Sequence, residues 1–151
     1  MSHVRQQIRD AVVAALTGRA PWADRVFAGR TWPLDETEMP ALLVWSLGGP
    51  SDVDAMGDDD TTMTLERDER VVVEGRVRSK NVEPEDLLDE LAVIVEPLMM
   101  ADSGLGALVD RRELINTERR SGVVGDAREG LIRLTYRVVY VTAAGDPTVK
   151  V

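Results

Sequence analysis

The stretch 131-LIRLTYRVVYVT-142 sets Ile132, Leu134, Tyr136, Val138 and Tyr140 on one parity. Successive side chains of a strand point to opposite faces, so this pattern predicts a strand with one buried face. From Thr61 to Ser79 the same alternation recurs. Met63, Leu65, Val71, Val73 and Val77 share one parity, and Thr62, Thr64, Glu66, Glu74, Arg76 and Arg78 the other. A half-buried antiparallel strand or strand pair follows, with 66-ERDE-69 either a turn or a place where the strand leaves the core. Further strands are expected at 25-RVFAG-29, at the apolar run 41-ALLVW-45 and at 113-ELINTERR-120, with Gly122 to Gly130 a loop.

Two segments carry a helical period instead. Val4, Ile8, Val12 and Leu16 recur every fourth residue beside Ala11 and Ala15, with Ser2 as N-cap and Gly18 as stop. Val13 falls off that stripe, as a scattered surface apolar residue does. The second helix opens at Pro84, with Glu85 and Asp86 in the turn favoured by the helix dipole. Leu87, Leu88, Leu91, Ile94, Val95, Leu98 and Met99 form its apolar face, and Pro97 is expected to kink or end it. Val93 and Met100 lie opposite, either incidental or part of a subunit contact. Helix, strands, helix, strands describe one α+β domain over 1–151, a small, mostly antiparallel sheet with two helices packed on one face.

The acidic tract 48-GGPSDVDAMGDDD-60 is opened by Gly48, Gly49 and Pro50 and reads as an irregular, mobile loop. Its 52-DVDAMGDDD-60 segment begins like a calcium loop, with Gly57 at the sixth position. The fifth and twelfth positions are Met56 and Met63, and a thioether cannot replace a carboxylate on a hard cation. No metal is expected here; such charge runs repel and stay hydrated.

Other chemistry is equally thin. The chain has no cysteine, which removes disulfides, thiolate metal sites and cysteine nucleophiles. His3 is its only histidine, and neither a nucleophile elbow nor a phosphate-binding loop occurs. The sequence 104-GLGALV-109 ends in Val109 where a dinucleotide fingerprint needs Gly or Ala, and it follows a helix, so its glycines read as helix breakers. Trp45 is assigned to the core, and Trp32, in a Pro-bounded loop, to an interface. An enzyme is not expected, nor a cofactor. No apolar run is long enough to span a membrane, and 1-MSHVRQQIRDAVVAAL-16 lacks the pattern of a signal peptide, so an intracellular product is expected. The net charge of -9 is the wrong sign for gripping phosphates.

Several stretches, taken in order, carry a resemblance: 5-RQQIRDAVVAALTG-18, 26-VFAGRTWPLDETEMPALLVW-45, 102-DSGLGALV-109 and 131-LIRLTYRVVYVTAAGDP-147. Together they resemble the tail terminator (tail completion, minor tail) proteins of long-tailed bacteriophages and related tail-like elements. The resemblance implies a ring, hexameric in such proteins, that caps the tail tube, ends its polymerisation and presents a docking surface to the head. The partners implied are further copies of the chain, the tail tube protein, a head–tail connector or stopper protein, and genomic DNA that passes through the lumen without specific binding. The implied location is the head-proximal end of the tail, after assembly in the host cytoplasm. Trp32, Asp52, Asp54, Asp58, Asp59 and Asp60 are the expected interface or channel residues. A connector or stopper ring is the nearest alternative, and an α+β ligand-binding module a more distant one.

Overall fold

The computed structural model describes residues 1–29, 34–55 and 63–151, the side chain of Glu36 excepted. In chain order these form helix α1 (Val4–Leu16), strand β1 (Val26–Ala28), a 3-10 turn (Glu36–Glu38) and strands β2 (Ala41–Gly48), β3 (Ser51–Ala55) and β4 (Thr64–Ser79). Helices α2 (Pro84–Ala101) and α3 (Ser103–Gly106) and strands β5 (Arg111–Val124), β6 (Ala127–Ala143) and β7 (Asp146–Lys150) follow. The sheet has seven strands in the order β1-β2-β4-β6-β5, with β3 also paired to β4 and β7 to β6. It is mixed, not simply antiparallel: β1 runs parallel to β2, with Val26 beside Leu42.

Strands β4 and β6 pair along the whole length of β4, from Thr64 opposite Ala143 to Ser79 opposite Arg128, without a register shift. The 66–69 charges therefore neither make a turn nor lead the strand out of the core. Three of the four have a cross-strand side-chain partner: Arg67 Nε donates to Thr142 Oγ1 at 2.9 Å, Arg137 Nη2 donates to Asp68 at 2.7 Å, and Tyr140 OH donates to Glu69 Oε1 at 3.0 Å. The Gly122 to Gly130 loop likewise shortens to Gly125 and Asp126, since Val124 already pairs with Ala127. Gly125 (φ 64°) takes the first turn position, where a tight hairpin needs a backbone that side-chain-bearing residues disfavour.

One sheet face supplies Leu42, Val44, Val71, Val73, Val77 and the predicted set Ile132, Leu134, Tyr136, Val138 and Tyr140 to the main core. The buried stripe of α1 and Leu88, Leu91, Val95 and Met99 of α2 complete that cluster. Burying each such aliphatic side chain contributes roughly 1.5–3 kcal/mol. Val13 packs against this cluster as well. Trp22, which the sequence leaves unassigned, is fully buried, and its Nε1 donates to Leu16 O at 2.6 Å, satisfying a carbonyl at the end of α1. At the other end the N-cap is His3, not Ser2: its Nδ1 accepts from Arg5 N at 3.0 Å. Pro97 does not end α2, which continues to Ala101. Pro97 and Val93, whose carbonyl loses its helical donor, both lie on the exposed side, where water can replace the missing bond.

Close approaches explain two glycines. A Cβ on Gly75 would lie 2.8 Å from Leu91 Cδ1 and 3.1 Å from Ile132 Cγ2, so α2 seats directly on β4 there. Gly49 belongs to the expected loop, yet Ser51–Ala55 is strand, and β2 and β3 run along the same edge of β4. They are interrupted only at Gly49-Pro50, where Asp68 N donates to Pro50 O at 3.0 Å. A proline closes nothing on its own nitrogen but its carbonyl still serves the ladder. A Cβ on Gly49 would fall 1.8 Å from Asp68 O, which only backbone movement could relieve. Gly49→Ala should therefore lower urea stability by about 2 kcal/mol. Gly122→Ala, with nothing within 4 Å of its added carbon, should change it by less than about 0.5 kcal/mol. Equal midpoints for the two variants would contradict the tight crossing.

Candidate interaction surfaces

Strand β3 presents the acidic residues first. All five of its residues are exposed, and among the described residues it pairs only with β4. Asp52 and Asp54, two residues apart, project to the same face, and Asp52 stands opposite Glu66. Asp54 Oδ2 accepts a hydrogen bond from Thr64 Oγ1 at 3.3 Å. Like charges set across a ladder weaken it, so this corner is held by its neighbours while presenting a concentrated negative charge. Trp32, Asp58, Asp59 and Asp60 lie outside the described residues. No group of three or more potential metal ligands occurs among the described residues.

The sheet face turned away from the main core carries a lattice of ion pairs that sequence parity alone leaves as scattered charge. Glu74, 1% exposed, accepts from Arg76 Nε at 2.8 Å and from Arg133 Nε at 2.6 Å. Arg133 also approaches Glu118 at 3.9 Å, and its guanidinium carbon lies 5.9 Å from the centre of the Trp45 ring. Asp68 takes a two-pronged contact from Arg137, which reaches on to Glu113 at 3.1 Å. A small second core of Leu43, Trp45 and Val72, packed by Phe27 and Leu34, fills the same side. Trp45 is thus a core residue as expected, but of this second cluster. A buried carboxylate is tolerated only when its lone pairs are matched, and two arginines do so for Glu74.

Other surfaces are apolar or basic. The outward side of α2 exposes Asp86, Glu90, Val93 and Met100 in one stripe. The β5–β6 hairpin tip exposes Val123 and Val124, and among the described residues β5 pairs only with β6. A groove between the first turns of α1 and the end of β2 is lined by His3, Arg5, Gln6, Arg9, Ser46 and Leu47. His3 titrates below its ordinary range, through partial burial first and then the neighbouring Arg5 and Arg67. That keeps Nδ1 neutral and able to accept in its capping role. Tyr136 and Tyr140 are both shifted upward, chiefly by burial, and stay protonated core residues. No helix among the described residues is long and apolar enough to cross a membrane.

The Asp68 carboxyl sits below the ordinary carboxylate range, chiefly through the hydrogen bond from Arg137, with Arg70 adding to it against an opposing desolvation. A depressed acid binds fewer protons folded than unfolded. Its stabilisation is complete above the unfolded value of about 3.9 and is lost as pH falls through the folded value. Asp68→Asn should lower Tm at pH 7, and the wild-type and variant curves should converge below about pH 4 in calorimetry. Curves that stay parallel there would place the acid sensitivity elsewhere.

The family model described as phage minor tail protein U matches residues 3–140. Among solved structures, the chain is similar to a component of the virion of a native gene transfer agent particle, at 20% identity and a TM-score of 0.27. The likeness covers 91% of this chain and 92% of that one. No curated protein matches the sequence.

Proposed function

Because the chain belongs to the phage minor tail protein U family, and so is a structural component of a phage-type tail, we propose that it is the tail terminator. Copies of the chain close a ring, hexameric in this reading, that caps the tail tube, halts its polymerisation and offers the opposite rim to the head connector. The family match along nearly the whole chain carries the proposal. Its physical support comes from the surfaces. In this reading α1 and α2 cover one side of the sheet, and strands β3 and β5 together with the exposed apolar residues of α2 are left for neighbours. Identical subunits joined head to tail close into a ring when the rotation between them allows it.

The net charge of -9 suits a ring through which DNA slides. A basic lining would hold the polymer by counterion release, whereas carboxylates repel it. The acidic segment 48–60, with Asp52 and Asp54 on the β3 edge and Asp58, Asp59 and Asp60 beyond it, is placed at the tube contact or on the channel wall, with Trp32 at an interface. The ring's site is the head-proximal end of the tail, and it assembles in the host cytoplasm.

Deleting the gene from its parent element and imaging the lysate by negative stain tests the role. Overlong, unattached tubes beside filled heads are expected. Free tails of normal length would move the protein to the connector side of the junction, and intact particles would remove both readings. Complementing the deletion with a chain whose aspartates 52, 54, 58, 59 and 60 are all Asn should leave a folded subunit that restores few attached tails. Full restoration would show that their charge is dispensable.

A further inference from the structure

We infer that the groove beside the first turns of α1 receives the outward stripe of α2 from a second copy of the chain, forming the repeating contact between subunits. This deepens the ring reading and rests on it. The groove has two arginines one helical turn apart, Arg5 and Arg9, facing Ser46 and the exposed Leu47. Two of its polar atoms, Arg9 Nε and Ser46 Oγ, are buried without a hydrogen-bond partner among the described residues. Buried donors left unmatched are costly, so they mark a place where an acceptor belongs. Arg5 lies 3.5 Å from Glu69, which leaves Arg9 as the cation without a carboxylate among the described residues.

The α2 stripe offers the complement. Asp86 and Glu90 are also one helical turn apart, are exposed, and have no ion-pair partner among the described residues. Residues four apart on a helix stand about 6 Å from one another, so the acidic pair matches the basic pair in spacing as well as sign. Each pair is flanked by an exposed apolar residue, Val93 at 71% on α2 and Leu47 at 57% on β2, which can bury one another. Charged rims around an apolar contact direct register and exclude mispairing.

Helix α1 packs on β1, β2 and β7 and touches α2 and α3, while α2 packs on β4, β6 and β5. Within one copy neither Arg9 nor Asp86 and Glu90 form an ion pair among the described residues, so the groove and the α2 stripe do not satisfy one another. Each copy instead gives its α2 stripe to one neighbour and its groove to the other, a head-to-tail contact able to propagate around a ring.

The absence of native cysteine makes the contact directly readable. Arg9→Cys with Glu90→Cys in one chain, and Leu47→Cys with Val93→Cys in a second, would be treated with a short bismaleimide. Both the concentrated purified protein and particles made by complementing the deletion would be treated. Ladders extending past the dimer are expected from either double variant, and single-cysteine chains should give no ladder. Arg9→Glu alone and Glu90→Arg alone should each cut incorporation into particles by at least tenfold, and the two combined in one chain should restore it. Particles that contain the double-cysteine chain but yield no ladder would overturn the contact while leaving the terminator role standing. An adduct joining Arg9→Cys to a different virion protein would overturn it too. A ladder from purified protein, with intact tails in the deletion strain, would keep the contact and remove the terminator role.

Discussion

Strands β4 and β6 are held in one unbroken antiparallel register over the sixteen residues of β4, and almost every other feature follows from that pairing. Side chains directly opposite one another share a face, so the register sorts the two strands into two lists. Val71, Val73 and Val77 meet Tyr136, Leu134 and Gly130 on one side, while Asp68, Glu74 and Arg78 meet Val139, Arg133 and Glu129 on the other. A slip by one residue would send the whole valine set to the charged side and the acids into the core. The pairing also defines where α2 can rest, because Gly75 opens the space that Leu91 occupies.

The charged side is less a solvated surface than a second layer of structure. Glu74 is as inaccessible as the valines beside it, and is matched by Arg76 and Arg133 from two strands. Removing a single arginine would leave a buried carboxylate partly uncompensated, a larger loss than the pair's net contribution. The cross-strand ion pairs therefore act mainly on register, penalising any slip that sets like charges together. A chain with net charge -9 still arranges its sheet arginines where carboxylates need them, and Asp52 and Asp54 on β3 and Asp86 and Glu90 on α2 are among the acids that have no ion-pair partner among the described residues.

The buried parity of β6, the stripe of α1, the start of α2 and the strand beginning at Ala41 were legible in the sequence, since period-2 and period-3.6 patterns of apolar residues are local and survive any tertiary context. So was membership of the phage tail family. Less legible were the features in which polar residues do structural work. The run at 66–69 looks like a break because its partners, Tyr140, Thr142 and Arg137, lie about seventy positions away. Gly48-Gly49-Pro50 looks like the opening of a loop, although Gly49 is there because a strand crosses it closely. Of the expected interface residues, Asp52 and Asp54 fall on a strand edge, and the groove formed by Arg9, Ser46 and Leu47 joins segments whose meeting no local pattern announces.

By itself, then, the sequence determined which residues turn inward and which helices they form, because both depend on spacing along the chain, and its resemblance to known tail proteins pointed to the family. Only the tertiary structure decided that the sheet is mixed, that its second face is knit by buried ion pairs, and that Arg9 beside α1 and the acids Asp86 and Glu90 of α2 stay without ion-pair partners among the described residues. Those outcomes depend on which strands become neighbours, and charge is matched across space rather than along the chain.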